Sequence, residues 1–190
     1  MLQVQRGERA SAADGDAALI IVKRSLDISA VSELAENTFC RLSFTDLYSW
    51  LIPSIMLDAG GVSADALASI TDYDDAETLL ASVSEGDCDA AGMSASQFEE
   101  LADATVRSGV RTLQESVSIP YGVLLYPPSL PLGERELLTT AMIAIGNGSR
   151  SGALAPLLAQ DALVAATDED FVSLRQFINR AGIDLAHAGS

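Results

Sequence analysis

Four aspartates in the first half of the chain, Asp46, Asp72, Asp74 and Asp75, have the type and spacing to do chemistry. Asp46 follows one short apolar run that is typical of a strand, and the other three lie at the end of a second such run or just after it. The carboxylates would therefore gather near one edge of a sheet. Carboxylates near helix starts also cap backbone N–H groups. At Asp46 and Asp74 capping and ligand binding are equally good explanations.

The other residue types that could support catalysis or metal binding are few or poorly placed in this chain. His187, the only histidine, lies close to the C-terminus, so a Ser-His-Asp or Cys-His site in the core lacks its base. No Gly-rich phosphate loop is present. Cys40 and Cys88 lie far apart with no histidine near either, which does not predict a zinc site. We therefore expect no enzyme, no cofactor and no metal.

Composition excludes several partners. The 190 residues include 27 acidic and 11 basic ones, for a formal charge of −16, whereas nucleic acids and anionic membranes require a basic patch. No apolar run approaches the ~20 residues of a transmembrane helix. The first fifteen residues are polar and lack the apolar middle of a signal peptide. We expect an acidic protein that binds no nucleic acid.

The elements that must position these side chains alternate between strands and helices. Residues 17–22, 38–42 and 66–73 are short buried runs, and "CDAAGM" at 88–93 predicts a central strand beneath closely packed helices. Asp89 is expected to hold loop amides, with direct ligand contact as the alternative. Another strand is expected within residues 119–128. Pro53 predicts that the helix after Asp46 either bends there or begins later, near Ser49. This alternation is typical of an α/β fold with a mostly parallel sheet.

Helix starts are indicated by capping boxes. They pair Asp74 with Glu77, Ser94 with Gln97, and Thr167 with Asp170. Apolar stripes predict further helices around Leu137 and Leu138, and around Leu154 and Leu158.

"GDCDAAGM" and then "VRTLQESVSIPYGVLLYPPSLPLGERELLTTAMIAI" resemble the second half of phosphonate- and phosphite-type ABC transporter substrate-binding proteins. The resemblance covers about residues 17–180. It implies a type 2 periplasmic-binding-protein fold: a polar tail at 1–16, a three-layer α/β/α solute-binding lobe at 17–127, and a helical C-terminal segment at 128–190.

The resemblance also implies a ligand site, on which this chain departs from the family. "SFTDLYSW" at 43–50 stands where the family has a Ser-rich anion-binding turn, so Asp46 and Leu47 replace small residues while Ser43, Thr45 and Ser49 remain. Asp75 and Ala76 replace a Ser-His pair. Because carboxylates repel a phosphonate, a cationic or polyhydroxyl ligand is expected. The implied ligand-binding residues are Ser43, Thr45, Asp46, Tyr48, Ser49, Trp50, Asp72, Asp74 and Asp75.

The resemblance implies a solute-binding component of an ABC-type uptake system, located outside the cytoplasm, with a small-molecule solute and a transporter permease as partners. The alternative is an intracellular ligand-sensing domain on the same lobe, and a weaker one is an enzyme on this scaffold. Most of the family's first lobe has no counterpart ahead of residue 17. We therefore expect an N-terminally incomplete form whose C-terminal helices self-associate.

The same resemblance makes the strands that carry Cys40 and Cys88 neighbours in the sheet. An exported form would then hold a Cys40–Cys88 disulfide. Two buried free thiols remain the alternative, since side chains on opposite faces could not pair.

Overall fold

The computed structural model describes residues 2–5, 15–147 and 162–182. Its contacts divide the chain into two compact units, one of residues 1–16 and 118–175 and the other of residues 17–117 and 176–190.

The strands are β1 (Leu2–Gln5), β2 (Gly15–Asp16), β3 (Ala18–Lys23), β4 (Thr38–Arg41), β5 (Ser69–Asp72), β6 (Ala90–Ser94), β7 (Val110–Glu115), β8 (Ile119–Pro120), β9 (Val123–Leu124) and β10 (Ala162–Ala165). The α-helices are α1 (Ile52–Ala59), α2 (Ala76–Glu85), α3 (Ala95–Leu101), α4 (Ala104–Gly109), α5 (Leu132–Asn147) and α6 (Val172–Arg180). A π-helical turn at Leu47–Leu51 leads into α1, and 3₁₀ turns lie at Val31–Leu34, Ala64–Ala66 and Asp168–Phe171.

The larger unit contains a five-stranded sheet in the order β5-β4-β6-β3-β7. Strand β4 pairs in parallel with β5 and β6, whereas β3 pairs antiparallel with β6 and β7. Four of the five strands therefore point the same way. This confirms the predicted α/β fold with a mostly parallel sheet; β7 was not among the predicted strands.

Helices cover both faces of this sheet. Alternate strand residues, such as Ile21, Cys40 and Met93, join one buried cluster with Leu79 and Leu80 of α2. The intervening residues, Ile20, Val22 and Phe39, are fully buried on the opposite face, where α1 contacts β3. The alternation of side chains along a strand thus produces three layers.

The small residues of β6 allow the helix that follows β4 to approach it closely. Ala90 and Ala91 are fully buried. A Cβ added at Gly92 would lie 2.7 Å from Cγ of Pro53 and 2.8 Å from the carbonyl carbon of Ser49. Pro53 lies in the first turn of α1, where a missing N–H is tolerated. The α-helix thus begins later than Asp46, and the π-helical turn fills the interval.

Asp89 ties the start of β6 to the start of β4. Its Oδ2 accepts hydrogen bonds from the backbone N–H of Thr38, at 2.9 Å, and from its hydroxyl, at 2.8 Å. The hydroxyl of Thr38 in turn accepts from the N–H of Asp89. This confirms the amide-holding role expected of Asp89.

The smaller unit contains a three-stranded antiparallel sheet in the order β10-β1-β9 and a two-stranded pair of β2 and β8. Strand β1 lies within the segment expected as a polar tail, and β10 within the segment expected to be helical. The domain boundaries given above stay a prediction. The helix expected near Leu154 and Leu158 lies outside the described residues. In the described ranges no helix is both long and apolar enough to cross a bilayer.

Candidate ligand-binding edge

The site residues expected from the sequence lie at one edge of the larger unit's sheet. The carboxyl ends of the parallel strands β4 and β5 meet there, with Arg41 opposite Asp72. The segment 43–50 follows β4 directly, and the loop 73–75 follows β5. In open α/β sheets the binding crevice lies at this edge. We call the residues 41–50 and 72–75 the carboxyl edge.

Asp46 closes the N-terminus of the helical segment after β4. Its Oδ1 accepts hydrogen bonds from the backbone N–H groups of Tyr48, at 3.1 Å, and Ser49, at 2.6 Å. These are the free donors with which a helix N-terminus usually holds an anion. Its other oxygen, Oδ2, has no hydrogen-bond partner among the described residues. Asp46 therefore caps the helix and still presents a carboxylate oxygen.

Asp75 caps α2 in the same way. Its Oδ1 accepts from the N–H of Thr78 at 2.8 Å, and its Oδ2 accepts from the Thr78 hydroxyl at 2.9 Å. These bonds favour the ionised form, and they hold the pKa of the Asp75 carboxyl below its ordinary value. The predicted capping box of Asp74 with Glu77 is wrong by one residue, because the chain turns into the helix at Asp75.

Asp74 is consequently left as an exposed side chain that makes no hydrogen bond or ion pair within the part of the chain that the structure describes.

A third helix start, at Ser94, lies at the carboxyl end of β6. Its hydroxyl accepts from the N–H of Gln97, which confirms the predicted cap there.

Ser49 differs from the other expected ligand residues because it is completely buried. Its hydroxyl accepts a hydrogen bond of 3.0 Å from the N–H of Leu42, just past the end of β4. Ser43 and Thr45 are more exposed, and their hydroxyls lie 3.3 Å apart. Tyr48 is half-buried. Ser49 thus positions the helix, whereas Ser43 and Thr45 form the polar surface beside Asp46.

Sequence reasoning missed Arg41. Its Nε donates to Oδ1 of Asp72 at 2.6 Å, and its guanidinium lies 4.5 Å from the ring centroid of Trp50. The Trp50 ring packs edge-on against Phe39, with the ring centroids 5.8 Å apart. Arg41 and Asp72 each lie one residue before the end of a predicted apolar run, and their opposite charges are the signal that could have pointed to the pair once the register of β4 and β5 is known.

Cys40 and Cys88 are joined by a disulfide in the structure, and both are buried in the core cluster. Their Cα atoms lie 6.3 Å apart across the β4–β6 pair, within the usual range for a disulfide.

Across the described ranges, no group of three or more His, Cys, Asp or Glu side chains could hold a metal ion.

The chain has the fold of periplasmic binding proteins. A Xanthomonas citri protein, XAC2383, bound to ATP, has a similar structure, with a TM-score of 0.73 and 15% identity over 95% of this chain and 70% of that one. A binding protein component of an ABC phosphonate transporter from Pseudomonas aeruginosa gives 0.57 at 16% identity, covering 95% and 62%. PhnD1 from Prochlorococcus marinus, in complex with methylphosphonate, gives 0.56 at 10% identity, covering 95% and 71%.

The sequence matches the family described as "ABC transporter, phosphonate, periplasmic substrate-binding protein" over residues 3–171. This chain therefore belongs to that family of solute-binding components of ABC transporters. No curated protein sequence matches it.

Proposed function

We propose that this chain binds a small solute at the carboxyl edge and that the solute presents a cationic or hydroxyl-rich group to Asp46 and Asp74. One observation carries the proposal: the amides of Tyr48 and Ser49, which could hold an anion, already donate to Asp46. At the start of α2, Asp75 accepts a hydrogen bond from the N–H of Thr78 in the same way. A bare phosphonate would have to displace these carboxylates and approach their charges.

The surface beside these caps suits a cation or a set of hydroxyl groups. Oδ2 of Asp46 and both oxygens of Asp74 are acceptors without partners in the described ranges, and Ser43 and Thr45 add two hydroxyls. Ammonium and hydroxyl groups donate hydrogen bonds to such acceptors. The chain thus keeps the family's role of binding a small molecule, but it recognises a cationic or hydroxyl-rich group instead of a bare phosphonate.

Three further parts of the proposal rest on the family, on the cysteines and on the net charge. The solute is passed to an ABC transporter permease without catalysis by this chain. The protein works outside the cytoplasm, since disulfides persist in oxidising compartments and a buried one joins Cys40 to Cys88. It binds no nucleic acid, as its charge of −16 indicates.

Binding of three probes to the wild-type chain tests the ligand class: propylamine as a cation, ribose as a polyhydroxyl compound and methylphosphonate as a bare anion. Fluorescence of Trp50, the only tryptophan, reports binding directly at the edge. We expect propylamine or ribose to bind more tightly than methylphosphonate.

Asp46→Asn is the matched variant, because Asn caps a helix as well as Asp does but carries no charge. We expect it to weaken propylamine binding while the stability of the protein is unchanged. Tighter binding of methylphosphonate than of either other probe by the wild type would contradict the proposed ligand class.

A further inference from the structure

Arg41 is held rigidly at the carboxyl edge by two neighbours. The ion pair with Asp72 fixes its Nε, and the Trp50 ring, against which the guanidinium lies, fixes its plane. Its side chain is only 16% exposed, whereas that of Asp72 is 54% exposed. A guanidinium held in this way has lost most of its freedom before any ligand arrives, so a further hydrogen bond costs little entropy.

The two terminal amino groups of Arg41, Nη1 and Nη2, remain unused. Neither makes a hydrogen bond or ion pair to any residue that the structure describes, since Nε alone contacts Asp72. Together they form the end-on fork that matches two oxygens of one carboxylate, phosphonate or sulfonate group. The partial burial of the side chain makes such a bond stronger than it would be in bulk water.

Arg41 is also placed differently from the other basic residues of 17–117. Lys23, Arg24, Arg107 and Arg111 lie where β3 ends and β7 begins, at the opposite edge of the sheet. Arg24 and Arg111 there donate to backbone carbonyls. Arg41 is thus the basic side chain of this segment that lies at the carboxyl edge.

We propose that Arg41 receives an oxyanion of the solute through Nη1 and Nη2, in place of the helix N-termini that Asp46 and Asp75 occupy. This assignment rests on the proposed function and extends it. Because the Asp72 carboxylate lies beside the guanidinium, and Asp46 and Asp74 lie on the two segments of the same edge, a bare oxyanion is repelled. The solute therefore carries both groups, an oxyanion for Arg41 and a cationic group for the carboxylates.

A series of amines that share an aminoethyl group tests the assignment. β-Alanine, 2-aminoethylphosphonate and taurine have the same aminoethyl group with a carboxylate, a phosphonate or a sulfonate, and propylamine has the amine without an oxyanion. Titrations of the ¹⁵N-labelled chain follow the single Trp50 indole N–H and the Nε–H of Arg41. We expect at least one of the three oxyanion compounds to bind roughly 10- to 100-fold more tightly than propylamine, as for hydrogen bonds between charged groups. The tightest binder identifies the oxyanion.

Two variants separate recognition from support of the fold. Arg41→Gln keeps an aliphatic stem beside Trp50 but lacks the fork, so it should remove the advantage over propylamine. Asp72→Asn keeps an acceptor for Nε but removes a charge that competes for the guanidinium, so it should tighten oxyanion binding several-fold. Misfolding cannot produce such a gain, and circular dichroism checks both variants.

The assignment is overturned if no oxyanion compound binds more tightly than propylamine, or if Arg41→Gln keeps the full advantage. Should propylamine bind and respond to Asp46→Asn in that case, the proposed function stands and Arg41 alone is misassigned. If neither the amines nor ribose binds in any form of the protein, both proposals fail.

Discussion

Removing the Cys40–Cys88 disulfide should destabilise the larger unit substantially. The bond closes a loop of 48 residues, for which the chain-entropy relation gives about 4 kcal/mol at 25 °C. This is a large part of the ~5–15 kcal/mol that stabilises a typical domain. Both residues are completely buried, and the bond joins Cys40 of β4 to Cys88, two residues ahead of β6.

Urea unfolding of the oxidised protein, the reduced protein and a Cys40→Ala/Cys88→Ala variant measures the effect. With a slope of about 2 kcal/mol per molar urea, a loss of 4 kcal/mol lowers the midpoint by about 2 M. The reduced wild type controls for the cavity left by the two alanines. A midpoint that does not move on reduction would refute the reasoning, and so would two reactive thiols per chain in denatured protein that was never reduced.

The other predictions concern packing, capping, titration and association. Gly92→Ala should cost at least ~1–3 kcal/mol in urea unfolding, because its Cβ meets the backbone of Ser49. An unchanged midpoint for Gly92→Ala contradicts the close approach. Asp46→Ala should cost about 1 kcal/mol and Asp46→Asn almost nothing, since only the first removes the cap; equal losses would show that charge matters instead. In an NMR titration the Asp75 carboxyl should have a pKa below that of an ordinary aspartate. Its stabilising effect is therefore present above the unfolded pKa of about 3.9 and is lost as the pH falls through the lower folded pKa. A folded pKa at or above the ordinary value would contradict this. Light scattering should show self-association through α5, whose Leu132 and Leu137 are 74% and 71% exposed, and Leu137→Gln should weaken it; a wild-type monomer at high concentration would exclude it.

Much of the larger unit follows from its sequence because its strands and helix starts carry local signals. The buried runs at 17–22 and 38–42 became β3 and β4, and Ser94 caps α3 as its spacing with Gln97 indicates. Strand β7 escaped notice because it alternates buried and exposed residues irregularly, beginning with Val110 and ending with the exposed Glu115.

The chemistry of the carboxyl edge could be predicted only in part. The sequence placed aspartates there, but it could not decide whether Asp46 caps or binds, because that depends on which oxygen faces the amides. The Arg41–Asp72 pair depends on the register of β4 against β5, which requires the pairing of the two strands and is not contained in either run alone. The burial of Ser49 follows from the hydrogen bond to Leu42 and from the close packing on Gly92.

A backbone NMR titration with methylphosphonate tests most directly the claim that the helix N-terminus at the edge is closed to anions. The N–H signals of Tyr48 and Ser49 report the two donors that Asp46 occupies. We expect them to stay in place with methylphosphonate, while a cationic or polyhydroxyl solute shifts signals of residues 43–50 and 72–75. Shifts of the Tyr48 and Ser49 amides that saturate with methylphosphonate would show that an anion displaces Asp46, and would contradict the account.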